Sequence, residues 1–221
     1  YANGSFGNFG VALFFLLSGY ALMLRYGQAC PLKTFYKKRL KRVLIPYTIW
    51  SVLFTIAGGD YSGFIKNYLT ANCNPIYYYI AVYAQLVIIT PFLGKMLRSK
   101  QWSLGFAVSP AFIVLQSFFA AQRWENLIWV NGRTCLVWFG FYYLGLCIKN
   151  GKVCLQNVRF SILGTLPAVF WLLQVAEGNL WYIVADNFNM ATTQIKMSSF
   201  LTTIVMCLVL AYWIKYGEGV K

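Results

Sequence analysis

The chain has 221 residues, of which 59% are hydrophobic and only 11% are charged. About a quarter of the residues in an ordinary soluble domain are charged, so this composition excludes that class and indicates an integral membrane protein. The formal net charge is +14, but the chain has no polar domain that could carry a basic binding surface, which argues against a nucleic-acid-binding protein. We therefore expect the lipid bilayer as a partner and no nucleic acid.

Seven apolar windows bounded by charged or turn residues predict an all-α, polytopic transmembrane bundle. Several windows are shorter than the roughly 20 residues of a perpendicular crossing, so the helices are expected to extend into their polar flanks. No repeat or soluble linker interrupts them, which indicates a single integral-membrane domain over residues 1–221. The windows are Phe6–Leu24, Val43–Ala57, Ile76–Leu93, Trp102–Phe119, Cys135–Ile148, Phe160–Ala176 and Met197–Ile214.

Small residues in the first window indicate close helix packing. Ser18 and Gly19 follow a run of aromatic and aliphatic side chains, and small residues let two membrane helices approach each other closely. A catalytic role for Ser18 would require a general base to activate its hydroxyl, and the chain contains no histidine. We interpret Ser18 and Gly19 as packing residues.

The connection after the first window is strongly basic and contains no acidic residue. Taken as a helix, residues 35–47 place Tyr36, Leu40, Val43 and Tyr47 on one apolar face. A different face carries two arginines at positions i and i+3, together with an aromatic residue and a proline, and a lysine lies at its margin. Its members are Phe35, Arg39, Arg42 and Pro46, with Lys38 at the edge.

Two readings of this basic face remain open. Paired guanidinium groups suit a phosphate-bearing ligand, because each can form two hydrogen bonds to oxyanions. An amphipathic interfacial helix whose basic residues meet anionic lipid headgroups would have the same composition. Pro46 is expected to bend or loosen the backbone beside the arginines, which favours the ligand site.

The distribution of charge predicts the orientation. If the connection after the first window is cytoplasmic, alternating crossings place fifteen of the nineteen basic residues on that side, as the positive-inside rule requires. We therefore predict a multi-pass protein of the cell membrane with cytoplasmic basic loops. The fifteen are Arg25, Lys33, Lys37, Lys38, Arg39, Lys41, Arg42, Lys95, Arg98, Lys100, Lys149, Lys152, Arg159, Lys215 and Lys221.

The opposite side carries few charges that could contact a polar acceptor. The favoured interpretation of Glu125, Arg133, Glu177 and Asp186 is that they are exposed loop charges. Arg133 lies within about a turn of a window, so it is the strongest candidate of the four for a binding role. The six cysteines are scattered without a CxxC pair and histidine is absent, so we expect neither a metal site nor a permanently bound cofactor.

Three stretches resemble the membrane acyltransferase 3 family of integral-membrane O-acyltransferases: GNFGVALFFLLSGYALMLRY, FYKKRLKRVLIPY and IYYYIAVYAQLVIITPFLGKML. The later stretch VWFGFYYLGLCI also looks like a helix of that family. The third of these stretches resembles a family helix that starts with aromatic residues and ends in Thr-Pro. The other motif residues are Phe14, Phe15, Leu17, Ser18, Gly19 and Tyr20 in the first stretch and Arg39, Arg42, Pro46 and Tyr47 in the second.

The resemblance implies about ten transmembrane helices and acyl transfer from cytoplasmic acyl-CoA, often acetyl-CoA, to hydroxyl groups of the cell envelope such as those of glycans. It implies that Arg39 and Arg42, with Lys38 beside them, contact acyl-CoA through its phosphates. Acyl-CoA would then be a donor substrate. The position of a family tryptophan near the start of the third span is taken by tyrosine, at Tyr78, which with Arg133 marks the possible acceptor side.

The chain departs from the family at its proposed catalytic residue, a histidine on the first helix. The chain contains no histidine, and its first window resembles the second helix of the family. The resemblance therefore implies a domain incomplete at both ends, without the first and last helices, and catalytically incomplete by itself. The alternatives are a multi-pass transporter or flippase of a lipid-linked or anionic substrate, and a non-catalytic membrane relative. Few charges lie within the windows, which counts against proton-coupled transport.

Overall fold

A computed structural model describes residues 9–26, 32–59, 61–69, 71, 73–74, 77–123, 134–153, 160–193 and 196–216. Within these ranges the chain is helical and contains no strand, so the predicted all-α bundle is confirmed. The helices are α1 Phe9–Tyr26, α2 Leu32–Gly58, α3 Phe64–Leu69, α4 Tyr78–Arg98, a 3-10 helix Trp102–Ala107 that leads into α5 Val108–Ala121, α6 Cys135–Lys149, α7 Phe160–Ile183, α8 Phe188–Thr192 and α9 Met197–Tyr216.

Each of the seven apolar windows coincides with one long helical segment. Among the described residues, four helical stretches are long and apolar enough to cross a membrane, and two shorter helices are also apolar. The helices thus extend beyond several windows, as expected. Three of the long stretches are Lys33–Gly58, Tyr78–Arg98 and Trp102–Ala121, and the fourth, Phe188–Trp213, includes α8 and most of α9 together with residues 194–195, which lie outside the described residues. The shorter ones are Phe9–Leu24 and Cys135–Lys149.

The long helices alternate in direction. α1, α4, α6 and α9 run one way, whereas α2, α5 and α7 run the other way, as side-chain contacts between them require. Consecutive crossings of a membrane have this arrangement. The contacts that fix the directions join Phe15 to Trp138, Tyr20 to Lys149, Gln85 to Cys135, Thr90 to Tyr142, Tyr36 to Ile88, Phe54 to Tyr77, Trp102 to Tyr143, Ser109 to Gly140, Phe200 to Gly140 and Glu177 to Ser198. Shared cavity walls supply the second contact for α7 and α9, since Pro167 lines one cavity with Met206 and Tyr20 lines another with Ala211.

The alternation separates the described charges into two groups. We call the end at which α1, α4, α6 and α9 finish the basic end, because it collects a cluster of lysines and arginines without an acidic residue. The other end, called here the opposite end, holds Lys66, Arg123 and Lys196 together with Glu177 and Asp186. The cluster at the basic end comprises Lys33, Lys37, Lys38, Arg39, Lys41, Arg42, Lys95, Arg98, Lys100, Lys149 and Lys152.

Helix α6 lies at the centre of the bundle, and α1 crosses it at very short range. Every residue from 137 to 147 is buried. A Cβ atom on Gly19 would overlap the carbonyl oxygen of Tyr142, and one on Gly145 would overlap the carbonyl oxygen of Leu16. Glycine on both sides is therefore what allows the two backbones to touch, as in other close membrane-helix crossings.

Side chains of the neighbouring helices fix the first turns of α6. The hydroxyl of the fully buried Ser109 donates to the carbonyl of Leu136 at 2.7 Å and accepts from the backbone N–H of Gly140 at 2.8 Å. The side-chain oxygen of Gln85 accepts the backbone N–H of Cys135 at 2.8 Å. Since these bonds tie α6 to α5 and α4, they also set the position of the side chains further along α6.

The interpretation of Glu177 as an exposed loop charge is wrong. Helix α7 continues to Ile183, so Glu177 lies within it, half-buried, and its Oε2 accepts the backbone N–H of Ser198 at 2.9 Å. Lys196, next to it, is only 1% exposed and donates from Nζ to the carbonyl of Ala191. The opposite end therefore contains a buried lysine close to a carboxylate, whereas Asp186 is exposed as expected.

Candidate functional site

The first turns of α2 form one wall of the basic end. Tyr36, Leu40 and Val43 pack against the core and Tyr47 is buried, which confirms the predicted apolar face. The Tyr36 hydroxyl donates to the carbonyl of Ile88 on α4 at 2.7 Å. This face therefore holds α2 against α4 and sets how far the adjacent arginine reaches into the bundle.

Arg39 is the basic residue of α2 that enters the bundle. It is half-buried, its Nε atom is fully buried, and its guanidinium lies close enough to the Tyr142 hydroxyl to interact with it electrostatically. The other bases of α2, namely Lys33, Lys37, Lys38, Lys41 and Arg42, are exposed. A cation inside a membrane helix bundle is costly, and such residues generally have a functional reason.

Two buried hydroxyl groups form a pair between α4 and α6, and the one on Tyr142 interacts electrostatically with Arg39. Tyr142 is fully buried, and its hydroxyl is 2.7 Å from that of Thr90. The Thr90 hydroxyl donates to the carbonyl of Leu86 at 2.7 Å, so its single hydrogen is already used and Tyr142 acts as the donor between the two. The oxygen of Tyr142 can still accept a hydrogen bond from the guanidinium or from a ligand.

The other predicted donor residues lie further out. Arg42 and Lys38 are exposed, so the structure places Arg39 inside the bundle and these two residues at its rim. Pro46 is exposed, and α2 is unbroken at that position. Proline has no N–H, so the carbonyl of Arg42 loses its usual helical donor, and the expected bending or loosening of the backbone stays a prediction.

The proline-aromatic pair anchors α3 to α2 near the opposite end. The Tyr47 hydroxyl donates to the carbonyl of Tyr68, and its ring lies 4.8 Å from that of Tyr68. Thr48 shares a hydrogen bond of 2.7 Å with the Tyr68 hydroxyl. Tyr47 therefore has a packing role, and it lies about two helical turns along α2 from Arg39.

The signature residues of α1 contact two neighbouring helices, α4 and α6. Phe15 is fully buried with its ring 5.5 Å from that of Trp138, whereas Phe14 is exposed on one side and meets the rings of Tyr79 and Tyr83. Gly19 meets α6 as described above, and Ser18 is half-buried. Tyr20 is exposed, and the Lys149 ammonium lies 5.8 Å from its ring centre.

Tyr78, one of the two residues predicted for the acceptor side, does not join Arg39. The ring of Tyr78 is half-buried and lies 6.1 Å from that of Trp138 near the start of α4. Twelve residues along α4 separate it from Thr90, or about 18 Å at 1.5 Å per residue. Arg133 lies outside the described residues, so its role stays a prediction.

Two cavities that the sequence did not reveal flank α1. One of about 350 Å³ lies toward the basic end between α1, α6 and α9, and its lining is almost wholly apolar. The other, of about 390 Å³, lies toward the opposite end between α1, α7 and α9 and includes Gln174, Thr202 and Thr203. All three are neutral residues in apolar windows, a pattern that sequence inspection does not distinguish from ordinary helix packing.

The apolar helices, the alternating directions and the basic end define the chain as a multi-pass membrane protein. The family model described as an acyltransferase domain, acyltransferase 3, matches residues 1–217. The chain therefore belongs to the acyltransferase 3 family, which confirms the resemblance and assigns acyl transfer as its general chemistry. No curated protein and no solved structure matches the chain significantly.

Proposed function

We propose that the protein transfers an acyl group, in the simplest case acetyl, from cytoplasmic acyl-CoA to a hydroxyl group of a cell-envelope glycan or a similar acceptor. Membership of the family supports acyl transfer in general. The observation that carries the more specific proposal is the half-buried Arg39 at the basic end, whose Nε atom is fully buried and whose charge interacts with the hydroxyl group of Tyr142.

The basic end suits the donor because CoA is a polyanion. Its phosphates would meet the exposed Arg42 and Lys38 at the rim, and Arg39 would bind an oxyanion or carbonyl oxygen further in. A guanidinium group can form two parallel hydrogen bonds to a phosphate, and in a low-dielectric site each is stronger than in water. The surrounding lysines and arginines raise the local concentration of an anionic ligand.

The sidedness of the proposal follows from the same charges. Basic residues concentrate on the cytoplasmic side of membrane proteins, and the charges of acyl-CoA prevent it from crossing lipid. Since the basic end holds the described cluster on α2, α4 and α6, it is the end at which a cytoplasmic donor would enter. The acceptor would then approach from elsewhere in the bundle.

The reaction itself requires a general base. The acceptor oxygen attacks the thioester carbonyl, its proton passes to the base, and the C–S bond breaks to release CoA as the thiol once it has been protonated. A group that titrates near neutral pH is suited to this role. The chain contains no histidine, so we assign its residues to binding and positioning of the donor, and the test measures binding.

Replacing Arg39 with alanine is expected to weaken acyl-CoA binding about 10- to 100-fold. Hydrogen bonds to a charged group contribute about 1.5–3 kcal/mol, and each 1.4 kcal/mol changes the dissociation constant tenfold. Arg39→Lys keeps the positive charge but lacks the planar guanidinium group that forms two parallel hydrogen bonds, so it should recover part of the affinity. The affinity would be measured by calorimetry on the complete protein in lipid nanodiscs.

Arg98→Ala is the matched control, because Arg98 is an exposed arginine at the same end of the bundle. Its effect should be several-fold smaller and should vanish at high salt, since exposed charges are screened. Unchanged affinity in a folded Arg39→Ala protein would remove the donor assignment. Movement of a lipid-linked or anionic substrate across vesicles without any acyl donor would support the transporter instead.

A further inference from the structure

The cavity between α1, α7 and α9 has the features of a small-molecule site. Its volume of about 390 Å³ lies within the roughly 300–1,000 Å³ of ligand pockets. Most of its wall is apolar, and a few polar side chains converge on it, which is the usual composition of such pockets. The lining residues that the argument uses are Trp171, Gln174, Thr202, Thr203 and Met206.

Gln174 is the strongest indication of a ligand. It lines the cavity and is only 8% exposed, yet its side-chain amide forms no hydrogen bond within the part of the chain that the structure describes. An amide has two donor hydrogens and an acceptor oxygen. Since no described residue uses them, they are available to a ligand in the cavity.

The facing helix supplies acceptors. The Thr202 hydroxyl donates to the carbonyl of Ser198 at 2.8 Å, and the Thr203 hydroxyl donates to that of Ser199 at 2.7 Å. Both hydrogens are therefore used, while the oxygen lone pairs that remain can accept from a ligand. The cavity wall thus offers amide donors from α7 and hydroxyl acceptors from α9.

The polar character continues one turn further along α9. Ser198 and Ser199 are 7% and 5% exposed, and their Oγ atoms are buried without a hydrogen-bond partner among the described residues. Neither serine lines the cavity, so they extend the polar character of the first turn of α9 without contacting a ligand there.

The lining residues favour a neutral ligand whose ring carries several hydroxyl groups. None of the lining side chains is charged, which disfavours a phosphate or an ammonium group. Trp171 precedes Gln174 by three residues, so the indole and the amide lie on the same face of α7. A sugar ring has hydroxyl groups around its edge and C–H bonds on its faces, and therefore matches amide and hydroxyl partners beside a flat aromatic surface.

We infer that this cavity binds one neutral sugar residue of a membrane-anchored glycan. Met206 and the apolar remainder of the wall would contact the carrier of that sugar. The inference rests on the proposed function in taking the sugar as the acyl acceptor, and it locates the acceptor on α7 and α9 instead of at Tyr78. Binding of the sugar alone can be tested without an acyl donor.

The probe is an alkyl glucoside with a photoreactive diazirine in its alkyl chain, added to the complete protein in nanodiscs. Crosslinks should map to α7 and α9, and an excess of unlabelled alkyl glucoside should suppress them. A diacylglycerol of similar chain length, which has one hydroxyl group and no ring, should not suppress them. Gln174→Leu should lower labelling at a subsaturating probe concentration at least fivefold.

Gln116→Leu is the matched control, because Gln116 is a buried glutamine on α5 that does not line the cavity. Its labelling should equal that of the unmodified protein. Thermal unfolding would verify that each variant is folded, and Thr203→Val provides a second variant should Gln174→Leu fail to fold.

Equal labelling of folded Gln174→Leu and Thr203→Val would overturn the inference, as would equal suppression by the diacylglycerol, which would identify a lipid-headgroup site. Donor binding is measured separately through Arg39. Failure of the sugar experiment therefore leaves the donor assignment intact, and loss of the donor assignment leaves the sugar result standing.

Discussion

Replacing Gly19 with alanine is expected to destabilise the bundle by about 3 kcal/mol or more. The added methyl group would overlap the carbonyl oxygen of Tyr142 and would lie within 3.4 Å of the backbone nitrogen of Leu146. Overpacked cores usually lose about 1–3 kcal/mol, and here the obstacle is backbone that cannot rotate away. Loss of stability would be measured as a lower unfolding temperature in detergent.

Gly10→Ala is the matched control in the same helix. No atom lies within 4 Å of the position that its methyl group would take, and alanine has the higher helix propensity by up to about 1 kcal/mol. This variant should be neutral or slightly stabilised. Gly145→Ala, which would clash with Leu16 from the other helix, should reproduce the loss. Equal stability of Gly19→Ala and Gly10→Ala would show that the two backbones do not touch.

Replacing Lys196 with alanine is expected to cost about 2–5 kcal/mol. The side chain is 1% exposed, so its truncation leaves a cavity as well as an unpaired carbonyl at Ala191. The half-buried Glu177 also loses the neighbouring positive charge, which leaves its own charge without compensation. Chemical unfolding of the purified protein would measure the difference.

Lys66→Ala is the control for that substitution. Lys66 is exposed in α3 at the same end of the bundle, and substitutions at such positions usually change stability by less than about 0.5 kcal/mol. Lys196→Met keeps most of the volume without the charge, so it should lie between the two. The buried position of Lys196 would be refuted by an alanine variant as stable as Lys66→Ala.

The positions of the long helices could be predicted from sequence, but their ends could not. Apolar windows locate the part of a helix that lies in lipid, whereas backbone hydrogen bonding continues into polar flanks. For this reason α2 begins at Leu32, within the basic segment, and α7 ends at Ile183, beyond Glu177. The helix also continues through Pro46, because a missing donor on an exposed face need not interrupt it.

The residues of the candidate site could be predicted from sequence, but their positions relative to one another could not. A helical wheel places Arg39 and Arg42 on one face, since it records only the angle around one axis. Their different burial depends on which side chains of the neighbouring helices surround each one, and Arg39 interacts electrostatically with the buried Tyr142 of α6. The binding role proposed for Gln174 could not be predicted from sequence, because a neutral residue in an apolar window becomes a candidate only once the helices around the cavity have been placed.

The close crossing of α1 and α6 has a consequence for biogenesis. The two helices are parallel neighbours in space, yet α2 to α5 lie between them in the chain. During synthesis α1 must therefore remain in the membrane without its packing partner at Gly19 until α6 has been inserted. Nascent chains halted before Cys135 should accordingly remain bound to the insertion machinery or be degraded. Chains halted after Lys149 can form the contact between α1 and α6.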